Sequence, residues 1–293
     1  MSSSSLPAPE TGGGLSAATR LFGLLGDPVA HSLSPAIHNA ALQAAGIDGV
    51  YLALRVSPLD LGMAIAGARA LGIAGLNVTI PHKVSVIAHL DGVTPVAGAI
   101  GAVNTIFWDG DRLLGDNTDV LGYRAMLGGS APRRALILGS GGAARAVAFA
   151  LAEDGAQVTI AARRLDAARL LARAVAGACE AADVAAIGWQ RVDTALVATD
   201  LVVNATPVGM ADGLQSPLEV AALERLPRHA RVHDLVYGPH PTRLVLLARE
   251  RGLDATDGQA MLIHQAAAAF WRWTGVFAPV EQMERAFRRA LAV

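Results

Sequence analysis

Two rhythms of apolar and polar positions run along this chain. The segment 21–26, LFGLLG, is unbroken in apolar and small residues and predicts a buried strand, closed by the turn pair Asp27-Pro28. Residues 35–45 have helical character, with Ser34 as N-cap, Pro35 at the first helical position and Gly46 at the C-terminal end. Residues 50–56, VYLALRV, predict a second strand, and 59–71 a helix stopped by Gly72. GLNVTI predicts a third strand ended by Pro81, and 82–90 a further helix. This strand–helix alternation predicts an α/β architecture.

The stretch 99–108, AIGAVNTIFW, is rich in small and β-branched residues, and the chain turns polar at 115–118. Residues 123–127 lead into GGSAPRR, a hinge by composition. A second unit begins at Arg134: RALILG predicts a strand, SGGAA a tight turn, ARAVAFALAEDG a helix and its stop, and QVTIAAR the next strand. A helix at 165–175 and strands at DLVVNAT and ARVHDLVY continue the alternation. After Gly258 comes a helical run, QAMLIHQAAAAFWRW, and an amphipathic segment follows from Val280.

Composition narrows the class. At 293 residues the chain has room for two domains. Hydrophobic residues make up 53% and aromatics only 4%, so Ala, Val, Leu and Ile carry the core, which suits parallel strands under helices. A net charge of −1 leaves no basic excess for a phosphate backbone and argues against nucleic acid as a partner. The single cysteine, Cys179, can form neither an internal disulfide nor a redox pair. Residues 1–19 have the Ser, Pro and Gly content of a disordered tail, without the basic start and apolar stretch of a secretory signal. The longest uncharged stretch, 28–47, is too polar to span a membrane, and the expected setting is the cytoplasm. His31 and His38, like His82 and His89, are seven apart, which is no metal-ligand spacing, so no metal is expected. Trp271 and Trp273 read as core or interface.

Chemistry enters at Gly139-Ser140-Gly141-Gly142-Ala143-Ala144. Gly139, Gly141 and Ala144 fit the dinucleotide fingerprint: one glycine for the strand-to-helix turn, one for close approach of a pyrophosphate, and a small residue for helix–strand packing. The helix that follows presents free N–H groups to phosphate. At the end of the next strand, where a carboxylate would bind a ribose 2′-hydroxyl, stand Ala161, Ala162, Arg163 and Arg164. Two guanidiniums and no acid favour NADP over NAD. In the first unit, Ser32, Ser34, Asn77, Thr79, Lys83, Asn104 and Asp119 fall at the ends of elements, an inventory of hydroxyls, amides, one cation and one anion suited to a polyol.

The ordered motifs HSLSP, NVTIPHK, GAVNT, GDNTD, LGSGGAARA, NATPVGM, YGPHPT and GQAMLIHQA resemble the shikimate dehydrogenase family over residues 21–290. The resemblance implies a substrate-binding domain at 20–121, a Rossmann-like NADP-binding domain at 122–258, and C-terminal helices, 259–293, that return to the substrate domain. It implies a reversible NADPH-dependent reduction of 3-dehydroshikimate to shikimate, a step of chorismate and aromatic amino-acid biosynthesis, by a monomer or homodimer. Lys83 and Asp119 would be the catalytic pair, with Ser32, Ser34, Thr79, Asn104, Tyr237 and Gln265 around the substrate. Gly139 to Ala144 and Arg163 would hold NADP, and Leu235 and Gly258 would line the nicotinamide. A lysine can move the proton if desolvation lowers its affinity for it, while a neighbouring carboxylate does the opposite, so the pair is expected to titrate together.

Three features depart from the family pattern. Val120 follows Asp119 where the family usually has Gly; Ala162 precedes Arg163 where many NADP-using members have Asn, and Arg164 replaces a small hydroxyl residue; and the resemblance implies no role for the N-terminal extension over residues 1–19. Val120 keeps open a quinate/shikimate dehydrogenase using NAD, although Ser34 and Thr79 follow the shikimate-type pattern. An aminoshikimate dehydrogenase and a non-catalytic paralogue that binds shikimate-like ligands are the other readings. Retention of both Lys83 and Asp119 speaks against the paralogue.

Overall fold

A computed structural model of the chain describes residues 15–129, 132–211 and 213–292. The tail expected over residues 1–19 lies outside the described residues as far as residue 14. Beyond it the chain is held: Ser16 Oγ and Thr19 Oγ1 donate to the two carboxylate oxygens of Asp48 at 2.9 and 2.7 Å. Residues 130 and 131 of the expected hinge also fall outside the described residues.

The first unit runs β1 (Arg20–Gly26), α1 (Ser34–Ala44), β2 (Gly49–Arg55), α2 (Leu61–Ala70), β3 (Gly75–Val78), β4 (Gly92–Val93), α3 (Pro95–Ile100), β5 (Thr105–Asp109), β6 (Arg112–Asp116) and α4 (Asp119–Leu127). Its sheet has the order β2-β1-β3-β5-β6-β4, parallel through β2-β1-β3 and antiparallel through β3-β5-β6. The second unit runs β7 (Arg134–Leu138), α5 (Gly142–Glu153), β8 (Gln157–Ala162), α6 (Leu165–Ala178), β9 (Val184–Gly188), α7 (Val192–Leu196), β10 (Leu201–Asn204), α8 (Val220–Leu223), β11 (Arg231–Asp234), α9 (Arg243–Glu250) and β12 (Asp254–Thr256). Its sheet is parallel throughout, in the order β12-β11-β10-β7-β8-β9. Two helices end the chain, α10 (Gln259–Thr274) and α11 (Val280–Leu291).

Alternation along the strands builds a core on each face. In β7, Ile137 points into the layer under α5 and α6, while Leu136 and Leu138 join the layer under α9. On one face of the first sheet, Phe22 and Tyr51 pack with Ile37 of α1 and with Phe270 and Trp273 of α10, and α11 lies against α1 and α10 with Phe287 joining the same core. Trp273 is buried there and donates from Nε1 to the Ile106 carbonyl at 2.9 Å, while Trp271 stays half exposed. Among the described residues no helix is long and apolar enough to cross a membrane.

The structure departs from the sequence reading in several places, and β4, α3, β6, α7, α8 and α9 are elements that the pattern did not announce. Residues 82–90 form no α-helix, only a turn of 3-10 helix, Ser85–His89. The Lys83 carbonyl accepts the N–H of Val103 at 2.7 Å and so is withdrawn from the helical ladder, and Ile87 N–H turns instead to Val84, three residues back. Ser34 does not cap α1: it is the first helical residue, its own N–H is taken by Ser32 Oγ at 3.2 Å, and its side chain is buried. The strands β9 and β12 carry no strong pattern because each is a short edge strand, VAAIG and DAT, with few β-formers.

Candidate active site

Lys83 follows Pro81 and His82 in the loop after β3, and Asp119 opens α4 after β6. Lys83 Nζ donates to Asp119 Oδ2 at 2.6 Å, with the two side chains 15% and 6% exposed. An ion pair this sheltered is screened little by water or salt. Each partner is fixed from behind. His82 donates from Nε2 to the Val56 carbonyl at 2.7 Å, anchoring the loop to the end of β2, and the Lys83 carbonyl is held by Val103. Asp119 Oδ1 accepts Asn104 Nδ2 at 2.8 Å, and its backbone N–H donates to Asn117 Oδ1 at 3.1 Å. Asn104 also donates to Thr118 Oγ1 at 3.0 Å and reaches Gln265 Oε1 on α10 at 3.3 Å.

A polar chain leads from this cluster toward α1. Asn77 Nδ2 donates to the Asn104 carbonyl and to Thr105 Oγ1, and Asn77 Oδ1 accepts the Tyr51 hydroxyl at 2.8 Å. Burial pushes the Tyr51 phenol well above its ordinary value, with the nearby Ser34 hydroxyl acting in the opposite sense. His38 stacks on Tyr51 with ring centroids 4.3 Å apart, and burial lowers its imidazole to about 3, so it is neutral. Asn104, Asp119, Lys83 and Gln265 thus belong to one hydrogen-bonded network, which Asn77 extends to Tyr51. Ser34 is buried beside Tyr51 at the edge of this network, and Ser32 Oγ accepts the Ser34 N–H. Thr79 sits apart, its methyl pressed on Gly26, and its N–H bound to the Leu25 carbonyl.

Facing this network is the loop between β7 and α5. Gly139 has φ +114, and a Cβ there would lie 2.9 Å from the Ala205 carbonyl oxygen, so the turn requires glycine. Gly141 caps α5 with open space where a Cβ would stand, and Ala144 is fully buried against the sheet. With Ser140, Gly142 and Ala143 these residues leave a bare backbone cradle at the N-terminus of a twelve-residue helix. Arg163 and Arg164 are exposed where β8 ends, with no carboxylate at the strand end. A bare cradle followed by two guanidiniums fits a dinucleotide with a phosphorylated ribose.

The neighbouring strand ends carry a second polar cluster. Asn204 donates to Asp234 Oδ1 at 2.8 Å, and Thr242 donates to Asp234 Oδ2 at 2.6 Å while capping α9. Burial raises the Asp234 carboxyl in spite of these bonds. The cluster ties the loop after β10 to the loop 235–242. Leu235 N–H bonds the Asn204 carbonyl, and Gly258 N–H bonds the Val236 carbonyl at 3.2 Å, which brings the two together. Tyr237 leaves this loop toward the N-terminal unit, its ring edge-on to Phe287 at 5.7 Å, and burial raises its phenol.

Sequence reasoning passed over Tyr51, Thr118 and Asp234. Tyr51 looked like an ordinary strand aromatic, and Asp234 lay inside a β-rich run; both matter through partners far away in the chain. One signal was available: among 24 lysines and arginines, Lys83 is the only lysine. A chain that uses arginine everywhere else keeps an ammonium at this position. Among the described residues no group of His, Cys, Asp and Glu is arranged to hold a metal ion.

The sequence profile of the shikimate dehydrogenase substrate binding domain matches residues 24–106, and that of the shikimate 5′-dehydrogenase C-terminal domain matches residues 260–286. A shikimate dehydrogenase (NADP+) of Symbiobacterium thermophilum is 48% identical, covering 93% of this chain and 95% of its own. A crystal structure of a shikimate dehydrogenase in complex with NADP+ superposes with a TM-score of 0.87 at 38% identity, covering 97% and 99% of the two chains. The Thermus thermophilus enzyme in complex with NADP(H) and shikimate superposes with a TM-score of 0.81 at 40% identity, covering 93% and 100%.

Proposed function

The chain belongs to the shikimate dehydrogenase family, and on that premise we propose that Lys83 and Asp119 exchange the hydroxyl proton as shikimate and 3-dehydroshikimate interconvert. The enzyme is an NADP-dependent oxidoreductase of the shikimate pathway. NADP, when bound, supplies the hydride acceptor or donor. The observation that carries the proton assignment is the sheltered 2.6 Å ion pair beside the dinucleotide loop.

Lys83 is the member of the pair that meets the substrate oxygen. The Asp119 carboxylate is the more deeply buried partner, 6% exposed against 15%, and each of its oxygens already accepts a donor, whereas the ammonium has three N–H groups and spends one on Asp119. In the reducing direction Lys83 donates a proton to the forming alkoxide. In the oxidising direction the pair takes the proton back. Asp119 holds the ammonium in place and favours its charged form. Ser32, Ser34, Thr79, Asn104 and Gln265 supply hydroxyls and amides to the ring substituents, with Tyr237 closing the site from the second unit. The bare backbone of Gly139 to Ala144 takes the pyrophosphate, Arg163 and Arg164 the 2′-phosphate, and Leu235 and Gly258 flank the nicotinamide.

A matrix of NADP+ or NAD+ against shikimate or quinate, followed by nicotinamide absorbance, tests this reading. Shikimate with NADP+ is the fastest pair, and Lys83→Ala removes turnover while NADP+ binding remains. Faster turnover of quinate with NAD+ would overturn the substrate and cofactor assignment together.

A further inference from the structure

Gly142 lies where the second unit touches the first. A Cβ at this position would stand 2.9 Å from Lys83 Cδ and 3.2 Å from Lys83 Cβ. The whole stem of the lysine is thus laid along the bare backbone of the first residue of α5. A second contact keeps α5 here: Arg145, half-buried, donates from Nη1 to the Ile100 carbonyl at the end of α3. Lys83 is therefore confined on three sides, by Val103 at its carbonyl, by Asp119 at its ammonium and by Gly142 along its stem.

Nothing in the backbone demands glycine at 142. The residue is helical and its φ lies outside the left-handed region, so its backbone accepts alanine. What excludes a side chain is Lys83. We propose that Gly142 is a positioning residue for Lys83: its missing side chain lets the dinucleotide-binding loop close directly onto the lysine and hold the ammonium on Asp119. This rests on the proposed role of Lys83. It makes the loop a part of the proton-transfer machinery as well as a phosphate cradle. Readiness of the proton relay then follows the approach of α5 to the N-terminal sheet.

Because Lys83 is the only lysine, its amine can be followed alone. An amine-specific reagent such as acetic anhydride, with peptide mass spectrometry to set aside the N-terminus, reads Lys83 in cofactor-free protein. In Gly142→Ala the methyl displaces the stem. Labelling of Lys83 rises at least about threefold, kcat for shikimate oxidation at saturating NADP+ falls about tenfold or more, and the Kd for NADP+ changes less than about threefold, because a shift of an ångström at a reacting group costs far more in rate than in binding. Gly141→Ala places its methyl in open space, so it leaves the labelling of Lys83 in cofactor-free protein unchanged. The proposal fails if Gly142→Ala leaves labelling and kcat at wild-type levels, if its whole loss is in NADP+ affinity, or if Gly141→Ala raises labelling equally. Lys83→Ala separates the two levels. If it retains wild-type turnover, the role of Lys83 and this inference fall together; if it is inactive while Gly142→Ala behaves as wild type, only this inference falls.

Discussion

The side-chain amide of Asn104 bridges to Asp119: its Nδ2 donates to Oδ1 across 2.8 Å, while its own oxygen accepts the Thr118 N–H at 2.8 Å. This buried amide sets where the carboxylate points, and so where the Lys83 ammonium rests.

Asn104→Ala leaves Asp119 Oδ1 without its side-chain donor and Thr118 N–H without its acceptor. Leaving buried groups unsatisfied costs about 1–3 kcal/mol. Thermal unfolding shifts downward accordingly, and kcat/KM for shikimate falls about tenfold or more as the pair loses its orientation. Steady-state kinetics and a melting curve check both. Wild-type turnover in this variant would mean that Asp119 is positioned by its helix alone.

Arg163→Ala removes a guanidinium at the end of β8 and leaves the glycine loop intact. The KM for NADP+ rises about tenfold, while turnover with NAD+ changes little, since only NADP carries the 2′-phosphate. The ratio of the two kcat/KM values is the readout. A parallel loss with both cofactors would place Arg163 outside the phosphate site.

Stability drops in mild acid. His38 and His233 are buried, with imidazoles lowered by that burial to about 3 and about 4 from an ordinary value of 6.5. Between 6.5 and those values the unfolded chain binds protons that the native chain does not. Stability therefore falls as pH falls through that window, by up to about 1.4 kcal/mol per pH unit for each histidine. The raised carboxyl of Asp234 acts in the opposite sense, since the native state takes up its proton first as pH falls. Urea unfolding at pH 7 and pH 5 measures the difference. His38→Leu unfolds with a shallower pH dependence than wild type, whatever its absolute stability; an unchanged slope would show that His38 is protonated in the fold.

Two glycines with opposite surroundings give opposite signs. A Cβ at Gly75 would lie 2.3–2.6 Å from the Trp273 indole, which is itself held by the Ile106 carbonyl. Gly75→Ala therefore pushes α10 off the N-terminal sheet and destabilises by about 1–3 kcal/mol. Gly67 lies inside α2 with nothing near its missing Cβ, so Gly67→Ala stabilises by about 0.5–1 kcal/mol. Chemical denaturation of both variants decides the matter, and destabilisation by Gly67→Ala would contradict the packing described for α2.

The fold class, the long helices α5, α6, α10 and α11, the central strands and the dinucleotide loop were legible in the chain itself. Each depends on local periodicity or on a short motif whose residues are neighbours in sequence, as with Gly139, Gly141 and Ala144. Lys83 and Asp119 were legible as residues of the right chemistry, but 36 positions separate them, and no local pattern states that they meet at 2.6 Å. Tertiary structure alone decided the rest. The helix expected at 82–90 gave way because the Lys83 carbonyl found Val103, a partner contributed by another part of the sheet. Ser34 lost its cap role to a buried contact with Tyr51 from a separate strand. The contact between Gly142 and Lys83 joins two units that the chain writes far apart. Hydrogen bonds and close packing between distant segments form only after the sheets have brought those segments together, and a one-dimensional pattern holds no record of that distance.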